Sequence, residues 1–246
     1  MIWFIIATLV AFFIKGLCGF ANTLIFNGIL SYTANNINIS PLEVVLGYPS
    51  NIILVWKERK SLNWKIWLPL TALVVAGSIP GIFLLKHTDA GLLKVFFGIA
   101  VIVIGVEMLF REMKSNRESS NRKPGGSKLV LVLIGIISGL LCGLYGVGAL
   151  LAAYVSRVAE NSHEFKANIC VVFVVENTIR IILYVATGIL TLSVLKQVVI
   201  LIPFMLAAVF LGMKSSSVLN EKIIKKIVII LLILSGIVLI INNIPG

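Results

Sequence analysis

Long apolar stretches alternate with short polar ones along this 246-residue chain. The apolar segments run over 2–30, 41–56, 66–85, 92–110, 129–155, 167–187, 197–213 and 223–241. Several reach or approach the roughly 20 residues that a helix needs to cross a bilayer. An all-α polytopic membrane protein is predicted. The longest polar stretch, REMKSNRESSNRKPGGSK (111–128), is rich in charge, Ser and Asn and contains Pro-Gly-Gly, which marks a solvated linker. It divides the segments four and four. The expected organisation is a first transmembrane repeat over 1–110, a basic cytoplasmic linker over 111–128 and a second transmembrane repeat over 129–246.

The punctuation of the two halves is shared. GIFLLKHTDAGLLKVFFGIAVIVIGVEMLF (81–110) aligns without gaps to GMKSSSVLNEKIIKKIVIILLILSGIVLII (212–241), bringing Gly81, Lys94 and Gly105 onto Gly212, Lys225 and Gly236. GLCGFA (16–21) matches GLYGVG (143–148), Ser50-Asn51 matches Glu176-Asn177, and Pro69 meets Pro203 across a small gap. Apolar identities arise by chance in such compositions; shared Gly, Lys and Asn positions point to an internal duplication.

Composition strengthens the membrane reading: 59% of residues are hydrophobic and only 13% charged, against about half and a quarter in soluble domains. The N-terminal stretch lacks a basic region and a small-residue cleavage site, so it is expected to stay in the fold. The net charge of +11 sits between apolar runs, where it orients the chain and meets anionic lipid, and it does not suggest nucleic acid. Cys18, Cys142 and Cys170 lie inside apolar segments without a CxxC pattern and read as packing residues. His87 and His163 are the only histidines. Haem, zinc and di-iron chemistry find little support, and no metal or cofactor is expected.

The basic residues also discriminate between topologies. If all eight segments cross once, with 111–128 inside, 11 loop lysines and arginines fall inside and 8 outside. If 2–30 and 129–155 each enter and return to the same side, the loops 57–65, 111–128, 157–166 and 214–226 all become cytoplasmic. The count is then 16 inside against 3 outside, the three being Lys86, Lys94 and Lys196. A continuous helix over 129–155 would measure about 40 Å, longer than the bilayer core of about 30 Å, although tilt can absorb the excess. Each repeat would then hold one broken or re-entrant Gly-rich segment plus three spanning helices. Three is odd, so the second repeat would be inverted relative to the first.

Within 2–30, Gly16 and Gly19 permit a break and Asn22 can satisfy backbone groups the break exposes. Gly143, Gly146 and Gly148 repeat the pattern. Unwound backbone inside a membrane is tolerated where it is buried or lines a polar cavity. Half-helix N-termini there suit an anion. The competing reading is that these glycines only let helices approach closely.

The glycine-rich first segment, the basic central loop, SGLLCGLYGVGALLAAYV (138–155) and KANICVVFVVENTIRIILY (166–184) resemble the TauE/SafE sulfite-exporter family. The resemblance spans nearly the whole chain. It implies a multi-pass permease of a prokaryotic inner membrane, not an enzyme, associated with sulfite, sulfonates and related sulfur-containing anions. The chain departs from the family pattern at CGFANTL, GVGALL and PLEVVLGYPSN, which border the expected site, so the substrate does not follow from the resemblance. The expected function is a secondary transporter of a small anion, a sulfur oxyanion or organosulfonate, working by alternating access. Alternatives are a non-transporting membrane subunit or assembly factor, and an anion channel.

The candidate substrate-binding residues are Lys15, Gly16, Gly19, Asn22, Asn51, Gly143, Gly146, Gly148, Asn177 and Arg180. Lys15 either holds the anion or snorkels to an interface. Glu176 and Arg180 stand four apart on one helix face. They form either a structural ion pair or a site in which Arg180 binds substrate oxygens while Glu176 balances it or carries a coupling proton. Asn51 and Asn177 are repeat partners that donate to an anion or cross-link helices. Glu43 reads as a residue of the outer interface, Pro49 as a kink and Glu107 with Arg111 as an interfacial pair. Trp3, Trp56, Trp64 and Trp67 read as interface anchors.

Overall fold

A computed structural model describes residues 1–30, 36–85 and 148–241, with isolated positions between 99 and 139. The 111–128 linker, His87, Lys94, Gly105, Glu107, Cys142, Gly143 and Gly146 lie outside the described residues. The regular structure among the described residues is helical: α1 Ile2–Cys18, α2 Asn22–Leu30, α3 Asn36–Glu58, α4 Trp64–Leu85, α5 Ala149–Val158, α6 Ser162–Ala186, α7 Leu192–Val218 and α8 Glu221–Ile241. A single 3-10 turn, Arg59–Ser61, follows α3. Among these residues three stretches are long and apolar enough to cross a membrane, Ile39–Ser61, Ser162–Ala186 and Leu192–Val218, and Ile2–Cys18 and Trp64–Pro80 are shorter apolar helices. Val199, Phe210 and Leu211 on α7 are exposed, an apolar outer face that suits lipid tails.

Local chemistry sets several boundaries. Thr191 and Asn161 cap α7 and α6 by accepting from the N–H groups of Val194 and Glu164. At the far end of α1, Gly19 takes a left-handed conformation, φ +87°, and its N–H closes on the Lys15 carbonyl at 2.6 Å. Ala21 follows at φ +73°, unusual for a residue with a Cβ. This double reversal folds α2 back along α1, and Phe12 of one meets Phe26 of the other edge-on, ring centroids 6.4 Å apart. The chain over 2–30 is therefore a helical hairpin.

Two helix pairs organise the rest. α1 packs chiefly on α7, and Gly16 and Gly212 make the approach possible. A Cβ on Gly16 would lie 3.1 Å from the Gly212 Cα, and one on Gly212 would lie 3.0 Å from the Gly16 Cα. Gly139 approaches the α4 backbone in a similar way, where a Cβ would lie 2.9 Å from the Gly77 Cα. The second pair, α3 and α6, runs antiparallel. Ser40 near the start of α3 meets Tyr184 near the end of α6 at 3.1 Å, and Glu58 at the end of α3 meets His163 at the start of α6 at 2.8 Å.

At this second end three turns gather. Asn63 donates from its side chain to Glu164 at 2.9 Å and from its backbone to Asn168 at 3.0 Å. Lys166 donates to Ser216, and Lys57 to the Met213 carbonyl at 3.4 Å. Residues 57–65, 158–166 and 213–220 thus share one end of the bundle.

Candidate functional site

Between the hairpin and the α3–α6 pair lies a pocket of about 370 Å³, counting the part that opens outward. The break in the hairpin supplies one wall: Phe20, Ala21, Asn22, Thr23 and Leu24, with Lys15 from the last turn of α1. The first N–H groups of α2 belong to this wall, since an α-helix leaves its leading donors without internal acceptors. α3 contributes Glu43 and Asn51, and α6 contributes Phe173, Glu176 and Asn177. Gly148, the residue that precedes α5, completes the lining, where a Cβ would collide with the Phe173 ring. Two short helices therefore begin at the same pocket.

Lys15 is 1% exposed and its Nζ contacts the Gly47 carbonyl at 3.4 Å, with the Phe12 ring 5.8 Å away. Burial rules out snorkelling and leaves a cation facing the pocket. Asn51 is fully buried, and neither its Oδ1 nor its Nδ2 has a hydrogen-bond partner among the described residues. A buried amide in that condition costs about 1–3 kcal/mol. Asn51 and Asn177 stand on facing helices, α3 and α6.

Glu43 corrects the sequence reading. Expected at the outer interface, it is 3% exposed and lines the pocket. Its Oε1 accepts from the Asn22 amide and from the Thr23 hydroxyl, the latter at 2.8 Å. The reason is the true start of its helix: α3 begins at Asn36, so Glu43 lies two turns inside. Gly47, one turn further on, makes room for this convergence. A Cβ there would lie 3.3 Å from Glu43 Oε1 and 3.6 Å from the amide nitrogens of both Asn22 and Asn177. Thr23, Gly47 and Phe173 were likewise not singled out in the sequence. The available signal was an acid and a glycine four residues apart in an apolar run, which puts both on one helix face.

Glu176 and Arg180 are each 1% exposed and approach at 3.6 Å, Oε1 to Nε, too far for a good hydrogen bond. Both of those atoms lack hydrogen-bond partners among the described residues. Glu176 lines the pocket, whereas Arg180 is not part of the lining. The Arg180 Nη2 donates to Ser40 and to Tyr184, both at 2.9 Å. Gly16 also stands apart from the lining, at the crossing with α7, and Gly19 shapes the turn with its Cα face against the Lys166 stem.

No curated protein and no solved structure matches the chain. The family model described as Sulfite exporter TauE/SafE does match, over residues 4–239, and the chain belongs to that family of membrane transporters, which are not enzymes.

Proposed function

We propose that this transporter carries a small sulfur oxyanion or organosulfonate, and that the anion binds between the broken hairpin and the α3–α6 pair. The observation that carries the reading is the convergence of buried Lys15, the N-terminus of α2 and the unpartnered Asn51 amide on one pocket. Lys15, Asn22, Asn51 and Asn177 are the direct donors in this reading, while Gly19 turns the chain into α2 and Gly148 makes room for the Phe173 ring beside the pocket. Arg180 acts from behind Glu176 and keeps the region from becoming net negative. Glu176 is a proton-coupling residue in this reading, because its Oε1 has a cation nearby and no hydrogen-bond partner among the described residues.

Movement would follow alternating access between two inverted repeats, a population shift driven by differential contacts to the anion. The antiparallel run of α3 and α6, matched helices of the two halves, supports inversion. The gathering of 57–65 with 158–166 at one end supports two hairpins over eight single crossings, which would separate them. The basic linker and these loops would face the cytoplasm of a prokaryotic cell, against anionic lipid.

The test is anion flux into proteoliposomes with and without a pH gradient. The panel holds sulfite, sulfate, thiosulfate, small organosulfonates and carboxylates. Saturable flux of one sulfur anion, lost in a folded Lys15→Gln variant, is the expected result. Flux that ignores Lys15→Gln would remove the pocket from the pathway, and non-saturable flux would indicate a channel.

A further inference from the structure

Resting on that reading of the pocket, we propose that Glu43 is a tethered stand-in for the anion: its carboxylate occupies the N-terminal end of α2 until substrate displaces it. The geometry carries the idea. An α-helix N-terminus attracts negative charge, and in this structure the negative group found there belongs to the protein. Glu43 Oε1 takes both side-chain donors of the first turn of α2, Asn22 and Thr23, from across the pocket. A mobile anion that seeks the same end must meet the carboxylate of Glu43.

The charge balance makes the conflict concrete. Lys15 from α1 and Glu176 from α6 share the pocket lining with Glu43, and Arg180 stands behind Glu176 at 3.6 Å. α2 offers it only the neutral Asn22 and Thr23, and α7 carries its lysines, Lys196 and Lys214, near its two ends. Two cations meet two carboxylates, so an arriving anion enters a site without spare positive charge. In a buried site with little water, an uncompensated anion is strongly disfavoured. Release of Glu43 from α2, with its negative charge cancelled by a proton from solvent, restores the balance. Gly47 leaves the room for that movement, since it puts no side chain beside Glu43 Oε1. Occupancy of the pocket is thereby reported to α3, the helix that carries Glu43 and contacts α6 along its length.

The roles of the two acids differ. Among the described residues Glu176 Oε1 has no hydrogen bond to give up. Glu43 has two, both to the broken segment, and so it alone couples anion arrival to the break.

The experiment is calorimetric titration of the purified full-length protein with methanesulfonate, a monoanion across the pH range used, and with sulfite. Glu43→Gln keeps the shape and removes the competing charge. It is expected to bind methanesulfonate at least about tenfold more tightly at pH 8, as removal of a buried like charge implies, and to flatten the rise in affinity that the parent shows as pH falls. Binding to the variant that is no tighter than to the parent overturns the proposal and leaves the pocket reading intact. Failure of both proteins to bind either anion overturns both. A measurement on the unaltered protein covers the case in which the variant does not fold. Carbodiimide labelling of buried carboxyls, mapped by mass spectrometry, should increase at Glu43 when methanesulfonate is added. Unchanged labelling, or protection, overturns the proposal.

Discussion

Asn51 shows how a polar side chain inside an apolar helix can be read for function. Its amide is buried without partners among the described residues, a condition that stability alone does not favour. Replacement by leucine, similar in size and without unmet hydrogen bonds, should stabilise the protein by about 1–3 kcal/mol while abolishing transport. Thermal melting and flux on the same preparation check this. A loss of stability would mean that Asn51 bonds within the fold. The sequence made Asn51, Asn177, Lys15, Asn22 and Glu176 legible because polar groups are costly in apolar runs, and the structure gathers all five around one pocket. Glu43 escaped because Asn36, Asn38 and Ser40 disguise the first turn of α3 as a loop. Arg180 was legible as a charge inside an apolar run but not as occupied, since one of its partners, Ser40, comes from α3, far away in the chain.

At the scale of the element, the hairpin depends on two glycines with different duties. Gly16 allows α1 to touch α7, and Gly19 supplies the left-handed turn. Sequence cannot separate these duties, because a missing Cβ serves close approach and positive φ equally. The expectation that Gly16 forms the break is thus replaced by a crossing. Gly16→Leu or Gly212→Leu should drive α1 and α7 apart and cost about 3 kcal/mol or more. Gly188 is also left-handed, at φ +71°, yet a Cβ added there would meet nothing within 4 Å. Gly188→Asn, a residue that tolerates this conformation, should cost well under about 1 kcal/mol. Melting temperatures of the three variants test the distinction. Equal losses at all three positions would refute it.

For the whole molecule, the prediction concerns sidedness. With the native cysteines replaced, single cysteines at Lys60 and Asn161 should react with an impermeant reagent from the cytoplasmic side. A cysteine at Thr191, at the other end of α6, should react from outside. Reaction of positions 60 and 161 from opposite sides would sink the paired-hairpin arrangement. The membrane class and the first hairpin were legible because lipid imposes long apolar runs and tolerates broken backbone only in special places. The pairing of α3 with α6 was not legible, since it depends on contacts between side chains more than a hundred residues apart, such as Ser40 with Tyr184.

The seat of α1 on α7 also has a consequence in time. Gly16 and Gly212, which meet in the finished protein, are roughly 200 residues apart in the chain. At a synthesis rate of about 5–20 residues per second, α7 emerges roughly 10–40 s after α1. Through that interval Gly16 lacks the helix against which it packs, and for most of it the turn at Gly19 lacks the Lys166 stem on which it rests. A segment made early is thus finished late, and the insertion machinery must hold open a place whose other wall has yet to be translated.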